Sequence, residues 1–153
     1  MRRSSNVFIK VVTCILIVAL MAPMGVSAAM PSGIAPRASD YLAAYTAYIC
    51  AMGDGELEIW FTVTGTRIWA DIGTLDIFLY ESDDTVNWRR VKTFQYTDYD
   101  DETMLAHNTF DHVSYVEYQG TPGKYYKAYV CVWAGSETDG DSRYFWTDPE
   151  WCT

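Results

Sequence analysis

Residues 57–64 read Leu-Glu-Ile-Trp-Phe-Thr-Val-Thr, and this alternation decides the fold class. Successive side chains of a β-strand point to opposite faces. The pattern therefore places Leu57, Ile59, Phe61 and Val63 on one face, which is the core face. The intervening polar residues and one Trp lie on the other face. The segment is predicted to be a half-buried strand of an antiparallel sheet.

Further strands are predicted on both sides of this segment, because runs rich in Tyr, Ile, Val, Phe and Trp alternate with turn-forming residues. With residues 57–64, the predicted strands cover residues 41–51, 74–81, 88–96, 113–118, 125–134 and 142–147. Gly53-Asp54-Gly55 is typical of a hairpin turn. The acidic stretch 97–111 is predicted to be a long loop.

Residues 125–134 are predicted to form a central strand with two unlike faces. The residues assigned to the core face are Tyr126, Ala128, Val130 and Val132, and those assigned to the wetter face are Tyr125, Lys127, Tyr129, Cys131 and Trp133. Seven short strands in about 110 residues favour two packed sheets. The predicted fold is therefore an all-β, seven-stranded antiparallel immunoglobulin-like β-sandwich over residues 41–153.

The N-terminus has the three regions of a signal peptide. Arg2, Arg3 and Lys10 precede an apolar run over 11–21, and small residues at 26–29 follow. Cleavage is expected after Ala28, with Ala29 as the alternative, so residues 1–28 are the predicted signal peptide and residues 29–40 a flexible tether. An uncleaved membrane anchor is the alternative, but the run is far shorter than the roughly 20 apolar residues of a span. We expect a secreted, extracellular protein with no membrane contact in its mature form.

The composition excludes several classes of function. Half of the 153 residues are hydrophobic, which suffices for one folded domain. The net charge is −9, and removal of the signal peptide takes away three bases and no acid, leaving −12. Such a charge argues against nucleic acid as a partner, because phosphate binding depends on clustered Lys and Arg.

Three segments resemble a fibronectin type III domain, over about residues 41–149. They are residues 57–60 (Leu-Glu-Ile-Trp), residues 79–82 (Leu-Tyr-Glu-Ser) with the following Trp88, and residues 114–126. The resemblance implies a structural corner in which the Tyr126 hydroxyl bonds back to the backbone of the turn before it. The whole chain is also similar to short secreted bacterial proteins of unknown function, and that resemblance implies no activity.

Cys50, Cys131 and Cys152 remain after cleavage, so one thiol is left over within a monomer. In the fibronectin-like topology the first and last strands end at the same pole, which predicts a disulfide between Cys50 and Cys152. Three unpaired thiols and intermolecular pairing are the alternatives.

The sequence carries little that resembles catalytic or metal-binding machinery. Its only histidines, His107 and His112, lie in the predicted loop region beside Asp111, without a nucleophile motif. Two acidic clusters have some of the oxygen ligands that calcium prefers, but solvated loop charge is the simpler interpretation. Those clusters are Asp98, Asp100, Asp101 and Glu102, and Glu137, Asp139 and Asp141. We expect no enzyme activity, no cofactor and no metal site.

Aromatic residues are the most informative feature, since six Trp and twelve Tyr exceed the need of one small core. Tyr125, Tyr129 and Trp133 are predicted to form an exposed ligand-binding row. Rings in such a row stack on sugars or anchor a protein partner; alternatively they cover one another and stiffen the sheet. The expected function is recognition of a protein or cell-envelope component, with carbohydrate binding, including a cell-surface glycan, as the alternative.

Overall fold

The computed structural model describes residues 39–99 and 101–153, which form seven strands and one short 3-10 helix. The strands are β1 (Leu42–Gly53), β2 (Glu56–Ser82), β3 (Arg89–Gln95), β4 (Leu105–Gln119), β5 (Tyr125–Gly135), β6 (Gly140–Trp146) and β7 (Glu150–Trp151), and the helix is Tyr96–Asp98. All strand pairs are antiparallel, which confirms the all-β class. The predicted signal peptide, and the predicted tether up to residue 38, lie outside the described residues.

β2 spans 27 residues and takes part in both halves of a single curled sheet. Its first part, residues 56–65, pairs with β1 on one side and β4 on the other. Its last part pairs with β3 and β5, and β5 in turn pairs with β6 and β7. Within the described part of the chain, no helix has the length and hydropathy of a membrane span.

The core lies between the two halves of the curled sheet and contains side chains from both. Leu57, Ile59 and Val63 of β2, all fully buried, belong to the same hydrophobic cluster as Val130 and Val132 of β5. The rings of Tyr45 in β1 and Phe145 in β6 lie 5.0 Å apart beside it. Burial of this apolar surface is the main force that stabilises the curl, and the predicted core faces of residues 57–64 and 125–134 are confirmed.

The division into strands differs from the prediction at β2. Residues 57–64 and 74–81 were expected as two strands but belong to one, because the chain continues through Gly65 without a turn. A Cβ atom at Gly65 would lie 2.6 Å from the Trp69 ring, so the glycine leaves room for that indole. Trp69 Nε1 donates to the carbonyl of Tyr41 at 3.0 Å, which ties the junction to the start of β1. The strand count is still seven, since β7 was not expected.

The acidic stretch 97–111, predicted as a loop, contains the beginning of β4. Ala106 is buried and pairs with Ile72, and the preceding Met104 is fully buried. The Met104 carbonyl accepts the N–H of Thr74 at 2.7 Å. Gly73, at φ +151°, permits this approach, because a Cβ there would lie 2.2 Å from that oxygen. A tertiary contact therefore makes a strand from residues whose charge suggests a loop.

Candidate functional site: an aromatic sheet face

The outer side of β5 and its neighbours carries a continuous group of rings, which we call the aromatic face. Alternation places these side chains away from the core, since the residues between them are buried. The rings are Phe78 and Tyr80 of β2, Trp88 just before β3, Tyr125, Tyr129 and Trp133 of β5, Tyr144 and Trp146 of β6, and Trp151 of β7. Lys127 of β5 lies among them.

The centre of the aromatic face is a stack of three rings. Tyr129 of β5 lies opposite Trp146 of β6, with ring centroids 4.7 Å apart. Tyr144 stacks on the same Tyr129 ring at 5.4 Å with an interplanar angle of 27°. These three rings therefore pack against one another across the two strands. Cross-strand pairs of this kind stabilise a sheet.

Lys127 lies among these rings and gives the aromatic face a positive charge. Its ammonium nitrogen is 4.2 Å from the centroid of Trp88 and 4.4 Å from that of Trp146. A cation between two indoles is held by attraction to both ring quadrupoles. Tyr80 also packs against Trp146, with ring centroids 5.2 Å apart, so four side chains hold one another in place here.

The predicted row of Tyr125, Tyr129 and Trp133 lies on this face, but all three side chains are half-buried. Tyr125 makes an edge contact with Trp151 at 4.7 Å. The more accessible rings are those of the flanking strands, Tyr144 at 51%, Trp146 at 44% and Trp151 at 43% exposure. Sequence reasoning missed these three, although the two-residue spacing of Tyr144 and Trp146 already placed both on one face of a predicted strand.

Trp133 ends the aromatic face at one pole of the sheet. Its indole lies against the backbone of the β5–β6 turn, where a Cβ atom would come within 2.7 Å of it at Gly135 and 2.3 Å at Gly140. Beside it opens a cavity of about 640 Å³, whose lining includes Tyr96 and three carboxylates. Those carboxylates belong to Asp71, Glu137 and Asp139.

A thiol and a phenol meet on the aromatic face, where Cys131 of β5 lies opposite Tyr144 of β6. Hydrogen bonding to Cys131 raises the pKa of Tyr144 to about 12, with the Asp76 carboxylate acting in the same direction. Burial raises the pKa of the Cys131 thiol. Both groups are therefore neutral and unreactive at physiological pH.

On the core side, Tyr126 occupies the corner that the fibronectin resemblance implies. Its buried hydroxyl accepts the backbone N–H of Thr121 at 2.8 Å and donates to Glu81 Oε2 at 2.9 Å. Glu81 also accepts a hydrogen bond from Arg89 at 2.5 Å. Burial alone raises the pKa of Glu81, but the hydrogen bonds from Arg89 and Tyr126 outweigh it and hold that pKa below its ordinary value.

The predicted disulfide between Cys50 and Cys152 is wrong for this structure, in which Cys50, Cys131 and Cys152 are free thiols. Ile49, the neighbour of Cys50, points into the core, so alternation turns Cys50 outward, opposite Glu58. Cys152 is fully buried in the core cluster. The two sulfur atoms therefore lie on different sides of the sheet. Burial raises the pKa of each thiol.

The two histidines have different hydrogen-bond partners. His107 Nδ1 is 2.7 Å from Asp71 Oδ1, on the exposed surface. His112 is half-buried, donates from Nε2 to the carbonyl of Thr103 at 3.2 Å and has a pKa lowered by burial. Both imidazoles thus bond to a carboxylate or a backbone carbonyl rather than to a nucleophile.

Several carboxylates of the acidic clusters have local hydrogen-bond partners. Asp98 accepts the N–H of Gln95, Asp101 accepts that of Thr103, and Asp141 pairs with Arg143. Over residues 39–99 and 101–153, no three His, Cys, Asp or Glu side chains are placed to hold a metal ion. Asp100 lies outside the described residues.

Comparison with known proteins identifies no relative: no protein-family model matches the chain, and neither does a curated protein or a solved structure.

Proposed function

We propose that the protein is a secreted, non-enzymatic domain with a fibronectin type III-like β-sandwich, which binds a protein or a cell-envelope component through the aromatic face. The observation that carries this proposal is the placement of three well-exposed rings, Tyr144, Trp146 and Trp151, beside a lysine held between two indoles. Tyr and Trp dominate the energetics of protein interfaces.

Two features support the finer fold. The curl separates a part made of β1, the first part of β2 and β4 from a part made of β3, the last part of β2, β5 and β6. This is the division into three and four strands expected of an immunoglobulin-like sandwich. The Tyr126 hydroxyl also bonds to the backbone five residues upstream, as a tyrosine corner does.

Rigidity supports a binding role for the face. Each ring at its centre is held by a neighbour from an adjacent strand, so little side-chain entropy remains to be lost when a partner binds. Contiguous exposed apolar surface on a monomer is typical of an interaction site. Rings that pack against one another, beside the charge of Lys127, suit a protein surface better than the flat faces of sugar rings.

Retention on isolated cell envelopes tests the proposal. The variant Tyr144→Ala with Trp146→Ala removes the most exposed central rings. Tyr48→Ala, which removes a ring of 44% exposure from the outer side of the other half of the sheet, is the matched control. We expect the double variant to lose retention and the control to keep it, with melting temperature measured for all three proteins. If the wild type is retained, equal retention of the double variant overturns the proposal.

A second candidate, carbohydrate binding, is favoured by the cavity beside Trp133. One side of this indole rests on the glycine backbone, and nearby carboxylates of Asp71, Glu137 and Asp139 are suitable acceptors for sugar hydroxyls. A glycan array probed with wild type and Trp133→Ala tests it. A signal that disappears in Trp133→Ala supports the sugar site, and a silent wild type rules it out.

The proposed secretion depends on residues 1–28. Intact-mass measurement of the protein recovered outside the producing cell tests it directly. A chain that starts at Ala29 or Met30 supports cleavage after Ala28 or Ala29. A cell-associated chain that keeps Arg2 and Arg3 contradicts it.

A further inference from the structure

A second row of rings crosses the outer side of the other half of the curled sheet, on β1, the first part of β2 and β4. Tyr48 lies opposite Trp60, and Trp60 lies opposite Tyr115 on its other side. The Trp60 and Tyr115 rings stack with centroids 4.6 Å apart. Tyr48 is 44% and Tyr115 37% exposed. We call this row and the adjacent carboxylates the acidic face.

The charge of the acidic face has one sign. Glu58 and Glu117 are neighbours in the next row, and Glu58 accepts a hydrogen bond from Trp60 Nε1 at 2.7 Å. Residues 41–66 and 105–119, which form the strands of this side, contain no lysine or arginine. The carboxylates on this side therefore have no basic neighbour within these strands.

The aromatic face carries the opposite sign. Lys127 lies between Trp88 and Trp146, and the guanidinium of Arg90 lies 5.6 Å from the centroid of Phe78. Asp76 lies on the same side, opposite Cys131, and its side chain accepts a hydrogen bond from Gln95. The carboxylates of Asp71, Glu137 and Asp139 line the cavity at the Trp133 end of the face. In a strongly acidic chain, this face concentrates positive charge among rings.

We propose that the partner of the aromatic face is the acidic face of a second copy of this chain. This inference rests on the proposed function, because it names the partner of the same surface. Two acidic faces would bring Glu58 and Glu117 against their own copies, and two aromatic faces would do the same with Arg90 and Lys127. Only the front-to-back arrangement pairs unlike charges while it covers rings on both sides. Such a heterologous contact extends into rings or open chains of molecules.

Sedimentation velocity with face-specific variants tests the arrangement. Glu58→Lys with Glu117→Lys blocks the acidic face, and Arg90→Glu with Trp146→Ala blocks the aromatic face. We expect concentration-dependent assemblies of the wild type, and a dissociation constant raised roughly a hundredfold in each variant, because like charges meet across the contact. High salt weakens the wild-type assembly as well.

An equimolar mixture of the two variants gives the sharpest result. Each variant keeps one intact face, so the mixture is expected to regain assembly through the intact aromatic face of one variant and the intact acidic face of the other. A wild type that stays monomeric at all concentrations, or a mixture that stays monomeric while the wild type assembles, overturns the inference. Melting temperatures of the variants, measured alongside, identify a variant that has merely unfolded, and in that case Glu117→Lys or Arg90→Glu alone replaces it.

Envelope retention separates this inference from the proposed function. The Glu58→Lys, Glu117→Lys variant keeps its aromatic face, so it is expected to bind envelopes while it fails to assemble. Retention without assembly in the wild type leaves the proposed function standing and removes only the second copy as partner. Assembly without retention identifies the second copy as the protein partner of this face.

Discussion

The two faces of β5 differ in what their side chains do. Tyr126, on the inner face, is fully buried with a satisfied hydroxyl, and the inner residues that follow it are small or β-branched. Tyr125, one position earlier, lies half-exposed against Trp151 on the aromatic face. Core packing explains the inner face completely. It does not explain why the outer face of the same strand carries three rings, Tyr125, Tyr129 and Trp133, and that excess is the reason to assign the outer face to recognition.

The largest expected effect is the difference in stability between alanine variants of Tyr126 and Tyr125. Tyr126→Ala is expected to lower the free energy of unfolding by about 3 to 5 kcal/mol, since it empties a fully buried site. Tyr125→Ala should lose about 1 kcal/mol, the value of an aromatic pair. Urea unfolding of both variants measures the difference, and equal losses would mean that the outer ring is also part of the core.

Removal of the hydroxyl alone sharpens the same comparison. Tyr126→Phe leaves the Thr121 N–H without its acceptor and Glu81 without one donor, so we expect a loss of about 1 to 3 kcal/mol. Tyr125→Phe is the matched control and should stay within about 0.5 kcal/mol of the wild type. A corner that tolerates Tyr126→Phe without loss would contradict the assigned role of this hydroxyl.

The corner also predicts a pH dependence. The pKa of Glu81 in the folded protein is below its ordinary value of 4.5, so the unfolded chain takes up this proton first as the pH falls. The contribution of Glu81 to stability is therefore complete above pH 4.5 and is lost as the pH drops through the lower folded pKa. The difference in unfolding free energy between wild type and Glu81→Gln should shrink over that range. A difference that stays constant, or grows, contradicts the ion pair with Arg89.

The smallest expected effect concerns a buried hydroxyl that has no hydrogen-bond partner, that of Thr74. Among the described residues, Thr74 Oγ1 is the buried side-chain oxygen or nitrogen that has no hydrogen-bond partner. Thr74→Val replaces it by a methyl group of similar size, so stability should stay the same or rise by about 1 kcal/mol. Thermal unfolding checks this, with Thr147→Val as the control, because Thr147 Oγ1 accepts the N–H of Ala128 and its loss should be destabilising.

The sequence predicted those parts of the fold that follow from local alternation. Residues 57–64 and 125–134 have the predicted inner and outer sides because a period of two leaves no other choice once one side is apolar. The start of β4 was not predictable in this way. Its pairing depends on the close approach of the Met104 carbonyl to the backbone of Gly73, and these two residues are far apart in the chain.

The candidate site was predicted in its location but not in its most exposed members. Alternation along β5 placed Tyr125, Tyr129 and Trp133 on the outer side of the sheet. Exposure depends instead on which strand lies at the edge, and Tyr144 and Trp146 lie on such a strand. The Cys50–Cys152 prediction failed because shared position at one pole says nothing about the side of the sheet to which each sulfur points.

The central claim is that the aromatic face, and not the interior, contacts the partner. Fluorine NMR of protein labelled with 5-fluorotryptophan, titrated with isolated cell envelopes, tests it most directly, with assignments from single Trp→Phe variants. The account predicts that the resonances of Trp88 and Trp146 broaden or shift while that of the buried Trp69 stays unchanged. Unperturbed Trp88 and Trp146 in the presence of bound envelope material, or a shift of Trp69 alone, would contradict it.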